Sequence, residues 1–166
     1  VASRLRQSLI LSHGPRVVSR TMIQHNGRCQ EEGAARVWPG DEMEHRRIKI
    51  TAAQVSVTAL LDDSRTADLV WAALPIQASV STWGDEVYFQ TSVQTEEEDA
   101  KEVVDLGDVG YWPPGQALCL FFGLTPASRA NEIRPASAVN VFGKIEGDPT
   151  VLKSVAPGSP VVVEKG

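Results

Sequence analysis

No histidine follows His45, and only three arginines, Arg65, Arg129 and Arg134, follow Arg47 in this chain of 166 residues. The first absence removes imidazole acid–base chemistry and imidazole metal ligation from everything after residue 45. Cysteine is scarce too. Cys29 and Cys119 lie far apart, and Cys119 sits inside an apolar run, so the expectation is two reduced thiols in a cytoplasmic protein. Cys119 has no local base, which argues against a nucleophile. There is no run of 18 apolar residues, so no membrane-spanning helix is expected. Acids are missing before Glu31, and charge is unevenly spread: residues 1–47 hold eight arginines and five acids, residues 48–166 eight bases and sixteen acids. That acidic balance speaks against nucleic acid as a partner. The acids of Thr95-Glu96-Glu97-Glu98-Asp99 are adjacent rather than spaced as in a calcium loop, so a solvated loop is expected there. Gly107 and Gly110 precede neither Lys-Ser/Thr nor a helix, so they make no phosphate loop. No metal and no cofactor are expected.

What is present is a buried strand. Ala117-Leu118-Cys119-Leu120-Phe121-Phe122 is apolar throughout and bounded by Gly115 and Gly123. It is too short for a helix and suits a strand covered on both faces. One face would carry Ala117, Cys119 and Phe121, the other Leu118, Leu120 and Phe122. With 42% hydrophobic residues, the chain can bury a proper core. Residues 1–45 read differently, as an arm or an over-extended start, a targeting segment, or an ordered tail, with Trp38-Pro39-Gly40-Asp41 as boundary turn. Residues 46–166 read as one domain.

Within that domain, residues 47–51 and 54–60 alternate as a hairpin. Ser64 or Thr66 caps a helix over residues 65–74, whose apolar positions Ala67, Val70, Trp71 and Leu74 share a face, and Pro75 stops it. Such a short helix needs an apolar support, which an open barrel mouth offers. Residues 76–83 and 86–93 flank Gly84-Asp85 as a type II′ hairpin. Val103-Val104 restarts a strand, residues 136–145 make another, Asp148-Pro149 opens a helical turn, and Val161-Val162-Val163 closes the sheet. The regular turns predict an all-β closed barrel of eight strands capped by two short helices.

Val141-Phe142-Gly143-Lys144-Ile145-Glu146-Gly147 resembles a segment of cyclophilins. Together with Thr82-Trp83-Gly84-Asp85-Glu86-Val87-Tyr88-Phe89, Gly107-Asp108-Val109-Gly110-Tyr111-Trp112-Pro113-Pro114-Gly115, residues 117–123 and Pro135-Ala136-Ser137-Ala138-Val139-Asn140-Val141, it makes the domain similar to a small prokaryotic family with a cyclophilin-like barrel. The resemblance implies an eight-stranded barrel with a helix at each end, and it brings no activity with it. Prolyl isomerisation needs an apolar slot and an arginine that polarises the twisting amide. No arginine lies in residues 82–93, where that arginine would be sought. The cyclophilin pocket histidine corresponds to Val139 and the pocket tryptophan to Arg134.

The expected function is therefore binding without isomerase activity: a small molecule or peptide in a groove on the barrel wall, lined by Glu86, Tyr88, Gln90, Trp112, Arg134 and Asn140. The plainer alternative has Trp112-Pro113 stiffening a turn, with a cis bond, and Tyr88 half-buried in the sheet. A weak prolyl isomerase using Arg134 is the second reading, and an enzyme using Glu86 as acid or base the third. Edge strands and exposed aromatics raise the expectation of a homo-oligomer.

Overall fold

The computed structural model describes residues 45–166. The expectations placed on the arm, its boundary turn, His13, His25 and Cys29 lie outside the described residues. Nine strands follow: β1 (Arg47–Ala52), β2 (Val55–Leu61), β3 (Ile76–Ser79), β4 (Ser81–Thr82), β5 (Glu86–Gln90), β6 (Asp108–Trp112), β7 (Ala117–Phe121), β8 (Asn140–Glu146) and β9 (Pro160–Lys165). They form one sheet in the order β3-β9-β1-β2-β8-β6-β7-β5-β4, with antiparallel pairing throughout. Its two end strands, β3 and β4, are separated in the chain by Val80 alone. The sheet must curl until its ends meet, which makes a nearly closed barrel. Nine strands stand where eight were expected, because residues 76–83 do not run as one strand. The chain bends at Val80, so its first half pairs with β9 and its second half with β5.

The barrel interior follows the alternation of the sequence. Ile48, Ile50, Val57, Ala59, Val87, Phe89, Val109, Tyr111, Leu118 and Leu120 all join one buried cluster. In β8 both Phe142 and Ile145 point inward, a spacing that strict alternation forbids. A register shift resolves it: Val109 pairs with Gly143 but Gly110 with Val141, leaving Phe142 as the extra residue of a bulge. The Gly84-Asp85 turn is as expected. Gly84 has φ +63, and Trp83 N–H donates to Glu86 O at 2.9 Å. A β-carbon on Gly84 would also fall 2.9 Å from Leu124 O, so no other residue fits.

Each mouth is plugged by a short helix. The helix α1 (Arg65–Ala73) follows β2, and Ser64 Oγ accepts from Ala67 N–H at its start. Ala67 and Val70 are buried, while Leu69, Trp71 and Leu74 pack partly against the core. The 3₁₀ segment Pro149–Ser154 follows β8, capped by Asp148, and contributes Leu152 to the same core. Because β2 and β8 are antiparallel, with Leu61 beside Gly143 and Thr58 beside Glu146, the two plugs sit at opposite ends. The cis bond lies at Leu74–Pro75 and not at Trp112–Pro113. Among the described residues no helix is long and apolar enough to cross a membrane.

All five residues of β7 are buried. Leu118 and Leu120 face the interior, with Phe122 just beyond the strand. Cys119 and Phe121 face outward into a second cluster with Val104, Ile133 and Val139. Its cover comes from the two long connections, residues 91–107 and 122–139. The expected strand at Val103-Val104 is not formed. That segment makes only isolated bridges, Lys101 to Val139 and Val104 to Ile133. It lies across the barrel wall as a strap, and the strand expected over residues 136–145 enters the ladder only at Asn140.

Candidate functional site

Glu86, Tyr88 and Gln90 alternate with the inward Val87 and Phe89, so β5 carries all three on its outer face, as read from the sequence. Trp112 ends β6 on the same outer wall, where its indole N–H donates to Ser137 Oγ at 2.7 Å. Tyr88 and Trp112 both pack, half-buried, against the outer apolar cluster. The six expected residues do not converge further. Gln90 is exposed. The Arg134 guanidinium is engaged by Glu132, at 2.7 and 3.0 Å, within its own loop.

Asn140 is only 1% exposed and cannot line a groove. Its amide is fully used. Oδ1 accepts from Glu98 N–H at 2.8 Å, and Nδ2 donates to Glu96 O at 2.8 Å and to Thr66 Oγ1 at 3.2 Å. It thereby fixes the acidic loop against α1. Glu98 completes the joint, because its carboxylate accepts from Arg65 N–H at 2.9 Å, Thr66 N–H at 2.8 Å and Thr66 Oγ1 at 2.6 Å. These bonds, the Thr66 hydroxyl first, hold the Glu98 carboxyl below its usual range. The loop expected to be merely solvated supplies the anion at the positive end of the helix. Replacing Asn140 by Ala strands one N–H and one C=O and costs about 2 kcal/mol. Amide exchange should show Glu98 and the first turn of α1 losing protection while the β7 amides keep theirs.

The outer wall is tightly packed at Val139. Val139, the position that the resemblance assigns to the cyclophilin pocket histidine, is fully buried among Cys119, Phe121 and Ile133. Gly110 lies directly beneath it: a β-carbon there would be 3.1 Å from Val139 Cγ2 and 3.4 Å from Phe121. Glycine at 110 is what lets the Val139 side chain seat itself against the wall.

Beside this plug lies a buried acid. Glu86 is 5% exposed, and its Oε2 is buried with no hydrogen-bond partner. Glu86 pairs across the ladder with Phe121 and Tyr88 with Cys119, so the Cys119 thiol is its diagonal neighbour. Burial pushes the Glu86 carboxyl up to about 7, and the Cys119 thiol offsets part of that rise. Burial, then the Glu86 charge, drives the thiol itself well above its usual range, so it is no nucleophile near neutral pH.

The more spacious hollow lies at the α1 mouth, a cavity of about 460 Å³ lined by Arg65, residues 94–96, Tyr111, Pro113 and Gln116. Tyr111 O–H is spent on Val93 O at 2.7 Å, which leaves its ring as part of the wall. Gln116 sits at φ +47, a left-handed conformation uncommon for a residue with a side chain. Arg65 forms no salt bridge among the described residues. Sequence reasoning saw Arg65 only as the start of a helix, and nothing local marks Gln94 or Gln116.

A family model described as cyclophilin-like matches residues 46–164. The chain is similar to a hypothetical protein from Archaeoglobus fulgidus known from its solution structure. Identity is 44%, the TM-score is 0.66, and the likeness covers 76% of this chain and 99% of that one. No curated protein matches.

Proposed function

The chain belongs to the cyclophilin-like family, and from that premise we propose that it is a binding protein without prolyl isomerase activity, whose ligand is a small polar molecule held at the α1 mouth. The observation that carries this reading is the mouth cavity, whose lining joins Arg65, with a guanidinium in no salt bridge among the described residues, to Gln94, Glu96 and Gln116. A cation and an anion on one wall suit a ligand carrying both an acidic and a basic group. Two residues support the non-isomerase half: Val139, at the position that the resemblance gives to the pocket histidine, is a buried apolar side chain, and Arg134, the guanidinium that a weak isomerase would use, is paired with Glu132. Glu86 lies under the outer cluster rather than at the cavity, which speaks against its use as an acid or base toward this ligand.

Ligand-observed NMR with a panel of amino acids and dipeptides tests the proposal. A zwitterion should bind, and Arg65→Ala should weaken it at least about tenfold, the effect of losing one charge-assisted hydrogen bond. A coupled isomerisation assay on Ala-Pro peptides should stay at the uncatalysed rate for the parent and for Arg134→Ala alike. A faster rate that Arg134→Ala removes would establish the isomerase reading instead.

A further inference from the structure

The loop of residues 124–134 lies on the outer wall beside β5 and β7. A β-carbon on Gly84 would meet Pro126 Cδ at 2.8 Å and Thr125 Cα at 3.0 Å, so the loop begins directly over the turn that opens β5. Near its end Ile133 packs in the cluster of Phe121 and Cys119. In between it is tied to itself. Ser128 Oγ accepts from Thr125 N–H at 2.9 Å and from Arg134 N–H at 3.3 Å, Thr125 O–H donates to Arg134 O, and Glu132 N–H donates to Arg129 O at 3.0 Å. Its outward backbone bonds lie at its two ends: Leu124 O accepts from Asp85 N–H at 2.9 Å, and Ile133 O from Val104 N–H at 3.0 Å. A unit closed on itself and held only at its ends opens at lower cost than a strand of the sheet.

Glu86 lies under this loop. Its register partner Phe121 is fully buried, and Gly84, two residues back, carries the start of the loop. Oε2 is buried there without a hydrogen-bond partner, so a charge on it would need water. The ionisable groups around it supply no counter-charge. On β7 the neighbour is the Cys119 thiol, and on β5 itself Tyr88. The strand β4 brings only Ser81 and Thr82. In the turn, Asp85 lies 3.6 Å from Lys153 Nζ of the 3₁₀ segment. The loop brings Arg129, which is exposed, and Arg134, which is paired with Glu132. On the strap Lys101, Glu102 and Asp105 are exposed.

We propose that Glu86 is the latch of a pH-sensitive shutter: while its carboxyl is protonated the loop of residues 124–134 stays seated, and ionisation lifts the loop and bares the wall at Cys119 and Phe121. Lifting lets water reach Oε2, so the open form holds an ordinary carboxyl at 4.5, against about 7 with the loop seated. The proton therefore favours the seated form. Opening grows as pH rises from 4.5 through about 7 and levels off above. The open form stays the minor one, because the burial of Phe121 still favours closure. The shutter works on the outer wall, apart from the mouth cavity that holds Arg65.

Thiol labelling of the full chain tests this. In a Cys29→Ser chain Cys119 is the sole cysteine. Its rate with iodoacetamide is divided by the rate of the urea-unfolded chain at the same pH, which cancels the thiol's own ionisation. The ratio should rise roughly 50-fold between pH 5 and 8, as carboxyl values of 4.5 and about 7 require, and stay flat in Glu86→Gln. One molar urea should hardly change it, because a local opening exposes little surface, whereas labelling through unfolding of the whole domain would quicken about tenfold. Thr125→Val, which removes the bond to Arg134 O, should raise the ratio at every pH, and it tests the loop even if the glutamine variant does not fold. A ratio flat with pH in the parent, or a rise that persists in Glu86→Gln, overturns the proposal. So does labelling that one molar urea quickens about tenfold, or a Thr125→Val ratio equal to the parent's.

Discussion

Glu86→Gln unfolds at a higher temperature than the parent at pH 8, and the order reverses near pH 4.5, where the parent's carboxyl is protonated and only the unpartnered glutamine amide carries a cost. The carboxyl stands at about 7 in the folded chain against 4.5 when exposed, with burial as the leading cause. A raised acid binds its proton more tightly in the folded state. Below pH 4.5 both states are protonated and the group contributes nothing. As pH rises through the interval, folding must hold back a proton that the unfolded chain releases, and stability falls. Above about 7 both states are ionised and the whole cost is present, roughly 3 kcal/mol from the gap between 4.5 and 7. Glutamine recovers only part, because the site of Oε2 offers its amide no partner. A net gain of about 1–2 kcal/mol, or several degrees in melting temperature, is expected at pH 8. Glu98 and Asp148 work in the opposite sense. Their carboxyls are lowered, by Thr66 and Thr150 respectively, and what they contribute is lost as pH falls below the usual carboxylate range. Melting curves for parent and variant from pH 4.5 to 8 separate the two effects. A parent whose stability rises steadily to pH 8, with the variant less stable at every pH, would show that Glu86 is held as an ion by a partner.

Phe121→Ala costs about 4 kcal/mol, as much as the same change at Phe89 inside the barrel. In an ordinary barrel the outer wall meets water and an outward phenylalanine contributes little. Here Phe121 is fully buried, with Val104, Ile133 and Val139 laid over it by the long connections. Truncation leaves a cavity that those connections, tied by the Val104–Ile133 and Lys101–Val139 bridges, cannot fully close. Urea unfolding with an unchanged slope gives the number. Phe121→Leu, with a smaller loss, provides a second point if the alanine variant does not fold. A cost under about 1 kcal/mol for alanine would mean that the cover lifts freely off the wall.

These two residues mark where sequence reading reaches its limit. Six apolar residues between two glycines are enough to say that β7 is covered on both sides, and period two assigns Phe121 to one face and Leu120 to the other. Nothing in that run says what lies above Phe121. The cover comes from segments without period, Val104 and Ile133, placed by single bridges across long stretches of chain. Glu86 illustrates the same gap. Its face was legible from alternation. Its burial was not, because that depends on how the chain connections settle over the wall rather than on β5.

What the sequence determined by itself is what short-range physics controls: the alternating strands, the Gly84 turn, the helix started by Ser64 and stopped before Pro75, and the plug at Asp148-Pro149. Each follows from hydrogen bonds and steric limits within a few residues. Only the tertiary structure decided that Glu98 caps a helix begun some thirty residues earlier, that Asn140 is a buried joint instead of a groove wall, that Val139 is buried over Gly110 and Phe121, and that the chain bends at Val80 to pair with β9 on one side and β5 on the other. Those outcomes depend on the order in which strands meet when the sheet rolls shut. That order arises from contacts between distant segments, each of which satisfies its own local preferences equally well in several arrangements.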